Sequence, residues 1–149
     1  MLYTPHLLTG AVIVKYSGNP VIGLPLALIS HFILDLMPHN DFGLEPGITI
    51  REFLTMEKRR RNLIIGALFG DYILSATAFV FLWIKFTNFW YILGGIAGIL
   101  PDLVEQIFML FGKALPGWQD KLQFRVSAKY GFIYYPVISV LTVYLLLKN

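Results

Sequence analysis

All three histidines fall within the first 39 of 149 residues, and acids accompany them. His31 and Asp35 are four residues apart, so on a helix they share one face, the arrangement by which two side chains grip one cation. The pattern runs on as His31-x3-Asp35-x3-His39-x-Asp41, with His6 near the start of the chain. Further along, Asp71, Asp102 and Glu105 interrupt long apolar stretches. A charged side chain inside a membrane span is costly, and each one there is a functional hypothesis by default. The apolar stretches offer these acids no deep Lys or Arg, since Lys15 and Lys85 lie at segment ends. Such carboxylates must be protonated or bind a cation, and with imidazoles beside them a divalent metal is the simpler answer.

The elements that position these groups are membrane elements. The chain is 56% hydrophobic and only 14% charged, with a mean hydropathy of +0.66. A soluble domain carries about 25% charged residues, so this composition excludes an ordinary water-soluble globule. The net charge of +3 does not indicate nucleic acid, because the basic residues flank apolar stretches and form no continuous stripe. No cysteine is present, which removes disulfides and thiolate ligands. Met1 to Thr9 lacks the pattern of a signal peptide, and the first apolar stretch is read as mature structure.

The sequence predicts an all-α, polytopic helical bundle forming one membrane domain over 1–149. Residues 6–16 make a half-span of about 16 Å, and Ser17-Gly18-Asn19-Pro20 turns the chain into a second apolar helix over 20–37, bent at Pro25 and ended by Pro38. These form a short helical hairpin over 6–37. Residues 38–62 are an interfacial loop in which Ile48, Ile50, Phe53, Leu54 and Met56 suit a helix lying on the membrane surface. Three spanning helices are expected at 63–84, 89–111 and 130–147, with a second mixed loop at 112–129. Tyr130, Tyr134 and Tyr135 read as an interfacial aromatic belt. The two loops hold five and four basic residues, nine of the twelve in the chain, which places both on the cytoplasmic face of an inner-membrane protein. Asp71 and Asp102 then lie roughly 12 and 14 Å deep from that face, at the level of His6, His31 and Asp35. Gly66-x3-Gly70 and Gly94-x3-Gly98 are faces on which helices approach closely, and would bring the two aspartates together.

Plainer readings exist for each group. A lone histidine in an apolar helix is commonly a packing residue. Asp71 and Asp102 can be protonated and hydrogen-bonded between helices, or Asp102 can cap a helix restarting at Pro101. Glu105 can face the interface, Asp41 can be a turn residue, and Lys58 to Arg61 can set topology alone.

Thr4-Pro5-His6-x3-Gly10, His31-Phe32-x2-Asp35-x2-Pro38-His39 and Leu100-Pro101-Asp102 resemble the membrane-bound metal-dependent hydrolases, a group sometimes described as LexA-binding inner-membrane proteins. The resemblance covers about residues 1–110 and is strongest over the first 41. A more remote similarity is to zinc-dependent phospholipase C. The resemblance implies a metal site of His6, His31, Asp35, His39 and Asp102, loaded with zinc or with manganese or magnesium. After Leu100-Pro101-Asp102 the family continues with a further Asp and His, where this chain has Leu103-Val104-Glu105-Gln106. A two-metal centre would need Glu105 and Asp71 to substitute.

The function expected from the sequence is metal-dependent hydrolysis of a membrane-associated phosphoester, a lipid phosphate or phosphodiester. A divalent ion would activate water and polarise a phosphoryl oxygen, with Asp102, Asp71 or Glu105 as general base or second-ion ligand. Arg59, Arg60 and Arg61 would attract the lipid headgroup. Expected partners are the lipid substrate and, as an option, further copies of the chain. A non-enzymatic ion-binding or transport protein built on the same cluster is the alternative, since half-spans and proline-broken helices occur in transporters.

Overall fold

The computed structural model describes residues 2–37, 39, 48–113 and 128–148. Asp41 and most of the 112–129 loop lie outside these residues. The described chain folds into six α-helices and no strand: α1 Tyr3–Ser17, α2 Pro20–Leu36, α3 Ile50–Thr55, α4 Lys58–Lys85, α5 Phe89–Leu110 and α6 Ala128–Leu147.

Local chemistry sets the first hairpin as the sequence predicts. Gly18 closes α1 with a left-handed φ of 63°, which a residue without a Cβ adopts freely. The Asn19 side chain then accepts the Val21 amide 2.9 Å away and caps α2, with Pro20 in its first turn. The helix runs on through Pro25.

The half-span α1 is the centre of the bundle, packed against α2, α4, α5 and α6. Ten of its fifteen residues are buried, and they surround the helix instead of forming a stripe. Past His6, Leu7, Leu8, Ala11 and Val12 join Leu82, Ile92 and Leu146 in an apolar core. Phe81, Phe86 and Tyr91 interlock edge-to-face around the turn between α4 and α5 beside it. Lys15 closes the carboxyl end of α1 by donating to the carbonyls of Leu145 (3.3 Å) and Leu146 (2.8 Å), the last turn of α6. A cation there offsets the negative end of the α6 dipole and satisfies carbonyls that the helix cannot.

The outer helices bury one face each. On α2 the stripe is Gly23, Ala27, Ser30, His31, Leu34 and Asp35, and Val21, Ile29 and Ile33 face outward. Only 11% of the apolar stretch of α4 and 22% of that of α5 is buried within the protein, and both helices are long and apolar enough to cross a membrane. Outward faces carrying Leu63, Phe69, Trp83 and Ile84 would form a sticky patch in water far larger than soluble monomers tolerate. Among the described residues α4 and α5 are the two candidate spans; the third expected span, 130–147, falls on α6, whose described apolar stretch is Ile133–Leu147. Tyr135 on that helix is buried against the protein and does not face outward as a belt residue would.

Two further expectations are refined. Helix α4 begins at Lys58, not at residue 63, so Lys58 to Arg61 form its first turn. Lys and Arg are good helix formers and carry the ladder out past the apolar stretch. Among the described residues before α4, the expected surface helix of the 38–62 segment is α3, started by a capping box in which Thr49 and Glu52 satisfy each other. Hydrogen bonds from Thr49 hold the exposed Glu52 carboxyl below its ordinary value.

The glycines divide in the same way. A Cβ on Gly10 would fall on the Gly94 carbonyl, and one on Gly98 on the His6 carbonyl, so α1 and α5 touch backbone to backbone. Gly94 and Gly98 therefore receive α1, not α4, and a Cβ at Gly66 or Gly70 would meet open space. Gly98→Ala is expected to destabilise the protein by about 1–3 kcal/mol through overpacking, whereas Gly66→Ala is neutral or slightly stabilising. Thermal unfolding in detergent, followed by circular dichroism, separates the two.

Candidate metal centre

The amino end of α1 is buried, and a buried helix start normally leaves several amides without partners. Asp71, 3% exposed on α4, meets them. Its carboxylate accepts the amides of Tyr3 and Thr4, the latter at 3.2 Å, and the Thr4 hydroxyl at 2.6 Å. The third position is Pro5, which has no amide to satisfy. Thr4 also bonds the Ser75 hydroxyl one turn along α4, at 2.9 Å. Asp71 thus caps α1 across the helix interface, a carboxylate at the positive end of a helix dipole.

With its start fixed, α1 projects His6 into the bundle, where it is fully buried. One turn of α2 supplies His31 and Asp35, and α5 supplies Asp102. Asp35 lies between the imidazoles, with Oδ1 3.3 Å from His6 Nε2 and Oδ2 3.3 Å from His31 Nε2. Asp102 Oδ1 is 3.7 Å from His31 Nε2. The imidazole rings are 4.3 Å apart between centroids. His6, His31 and Asp102 each offer one ligand atom, all within 4.8 Å of one another, and this group can hold a metal ion.

The orientation of His31 is set from behind. Its Nδ1 is 3.0 Å from the Gly98 carbonyl. A carbonyl only accepts, so Nδ1 donates there and Nε2 is left facing Asp35 and Asp102, the way metal-ligating histidines are commonly oriented. Gly98 serves twice, because its missing Cβ admits the His6 backbone and its carbonyl aims His31.

The donor set fits a cation. Both ring nitrogens of His6 and Oδ2 of Asp102 are buried without a hydrogen bond, a state that is costly for groups left to themselves. The separations of 3.3 to 3.7 Å exceed those of charge-assisted hydrogen bonds. One atom each from His6, His31 and Asp102 lies within 4.8 Å of the others, close enough to share one ion. With neutral imidazoles, the two carboxylates would balance the charge of a divalent ion.

The other expected residues lie elsewhere. His39 is fully buried, but its Nδ1 donates to the Met37 carbonyl at 2.8 Å and it is not among the converging ligands. Glu105 is half-buried on α5, one turn past Asp102, and is also outside the converging group. Asp71 is engaged with the α1 amides. It lies thirteen residues into α4, about 20 Å along the axis from Lys58. Arg59, Arg60 and Arg61 sit at that far start, and Arg61 donates to the Leu54 carbonyl to tie α3 to α4. Tyr3, Tyr72 and Gln106 border the cluster unannounced by any sequence pattern, apart from the place of Tyr3 beside Thr4-Pro5-His6.

Comparison of the chain with protein families, curated proteins and solved structures finds no match.

Asp71→Ala is expected to destabilise the fold by about 2–4 kcal/mol, from a lost cap and orphaned buried amides. Metal content of the fraction that still folds should be unchanged, whereas His31→Ala should lose the metal. Elemental analysis alongside thermal unfolding distinguishes a structural from a ligating role.

Proposed function

We propose that this protein is a metal-dependent hydrolase of a membrane-associated phosphoester, a lipid phosphate or phosphodiester, with its site inside the lipid-facing bundle. The observation that carries the reading is the buried His6 imidazole, without a hydrogen bond at either nitrogen, facing His31, Asp35 and Asp102. A single divalent ion answers the charge and the geometry together, and the nitrogen and oxygen donors suit zinc, with manganese or magnesium as weaker fits. The resemblance of the Thr4-Pro5-His6, His31-x3-Asp35 and Leu100-Pro101-Asp102 motifs to membrane-bound metal-dependent hydrolases points the same way.

When bound, such an ion supplies Lewis acidity and lowers the pKa of a water. The chain's own residues do the rest. His6 and His31 are ligands, with His31 aimed by Gly98. Asp35 bridges the two imidazoles and offsets the charge. Asp102 turns Oδ1 toward His31, and its buried Oδ2 is free to take the proton of an attacking water. The water oxygen bonds to phosphorus as the ester P–O bond breaks, and the alcohol leaves with a proton. Arg59 to Arg61, about 15–18 Å along α4 from the Asp71 level, fit a role in anchoring α4 at the membrane surface better than in gripping the scissile phosphate.

Purified protein should contain about one zinc or manganese per chain and release phosphate or a phosphorylated headgroup from anionic lipid in mixed micelles. His6→Ala, His31→Ala and Asp102→Asn should each lower the rate by at least about a hundredfold. A metal-free preparation whose lipid-phosphate turnover is unaffected by His31→Ala would overturn the reading, and ion flux into liposomes without turnover would replace it with transport.

A further inference from the structure

His6 and His31 are buried, at 0% and 3% exposure, and a chain of polar side chains leads outward from their level. There Tyr3, on the first turn of α1, is 3% exposed and its hydroxyl is buried with no hydrogen bond. Its ring lies against that of Tyr72, with centroids 5.4 Å apart, and on α1 it is one turn before His6. Tyr72 follows Asp71 on α4 and is 42% exposed. Its hydroxyl donates to Gln106 Oε1 at 2.7 Å, and Gln106 is one turn beyond Asp102 on α5. Tyr3, Tyr72 and Gln106 therefore run from the buried first turn of α1 to the outer surface of the bundle, where Tyr72 and Gln106 join α4 to α5. At the inner end stand an unused donor, the Tyr3 hydroxyl, and an unused acceptor, Asp102 Oδ2.

A buried phenol without a partner is stable only if something it bonds arrives. The arriving group must accept from Tyr3 and lie between it and the ligand atoms of His6, His31 and Asp102. A phosphoryl group meets both demands. It presents several non-bridging oxygens in tetrahedral directions, so one can face the cation while another accepts the phenol proton, leaving Asp102 Oδ2 to accept from a water or a protonated oxygen.

We propose that Tyr3 is the hydrogen-bond donor to a phosphoryl oxyanion bound at the His6–His31–Asp35–Asp102 centre, and that this ligand enters between α4 and α5 along Tyr72 and Gln106. The proposal rests on the metal-centre reading above and assigns that centre its ligand class and its entrance. The oxyanion belongs to a lipid headgroup or to free phosphate, and Tyr3 binds either in the same way.

The test uses the full chain in phosphate-free maltoside micelles, loaded with manganese. Its paramagnetism shortens the ³¹P relaxation of any phosphorus bound beside it. One arm titrates inorganic phosphate, and the other titrates phosphatidic acid in mixed micelles. The expected result is relaxation of at least one of the two signals by the wild-type protein. Tyr3→Phe should keep about one manganese per chain while its affinity for that ligand falls about tenfold, and Tyr72→Phe should weaken it about threefold. The arm that responds identifies the source. Full manganese content with wild-type affinity in Tyr3→Phe overturns the role of Tyr3 and leaves the metal centre standing. Bound manganese with no relaxation in either arm overturns the proposal too. A wild-type protein that binds no manganese or zinc removes the metal centre and the proposal together. If Tyr3→Phe does not fold, Tyr72→Phe decides, and unchanged affinity in that variant is the overturning result.

Discussion

A helix that starts in the interior of a bundle buries its first amides without helical partners, and the rest of this structure depends on how that problem is solved. Asp71 solves it from another helix, taking the amides of Tyr3 and Thr4 and the Thr4 hydroxyl, while Pro5 removes the next donor altogether. Fifteen residues cover only about 22 Å as a helix, too short to reach from one membrane surface to the other. An ordinary short helix would be pushed to the edge of the bundle or to its interface. Because its buried end is capped, α1 can instead be the axis around which α2, α4, α5 and α6 pack, and His6 is carried to the middle of the protein.

The two ends of α1 then divide the molecule. The carboxyl end is held by apolar packing and by Lys15 on the last carbonyls of α6. The amino end is polar, and Gly98 is where its parts are joined. Any side chain at that position would strike the His6 carbonyl, so the α1–α5 approach and the entry of His6 depend on the same missing Cβ. The same residue's carbonyl fixes the tautomer of His31. Packing and chemistry are coupled there, and a change made to relieve crowding would also disturb the imidazole.

Much of the site is legible in the sequence because it is intrahelical. The i, i+4 spacing of His31 and Asp35 dictates a shared face whatever the helix packs against. The Ser17-Gly18-Asn19-Pro20 turn is equally local, since Gly18 supplies the left-handed φ and Asn19 the cap. The shared level of His6, His31, Asp35 and Asp102 also follows from hydropathy. What periodicity does not encode is the partner of each face. Gly66 and Gly70 have the same spacing as Gly94 and Gly98, yet only the second pair receives a helix. Asp71 looks like the other intramembrane acids, but its partners are backbone amides, which every residue but proline carries and which no pattern marks. Tyr3 is hidden for the same reason, because its meaning lies in a hydrogen bond that is not made.

The arrangement of charge argues for a ligand more strongly than the number of acids does. Asp71 has its donors at 2.6 and 3.2 Å, as a carboxylate that is already satisfied should. Asp102, on α5 of the same bundle, approaches His31 only to 3.7 Å and keeps a buried Oδ2 without a hydrogen bond. Had the bundle evolved only to bury these groups, closing that gap would give a charge-assisted hydrogen bond. Gly98 instead brings the α1 and α5 backbones into contact and aims His31, so these groups are held by contacts that leave little room to relax. A rigid frame that keeps the His6 nitrogens and Asp102 Oδ2 without partners is costly with nothing between them. It is economical with a divalent cation there.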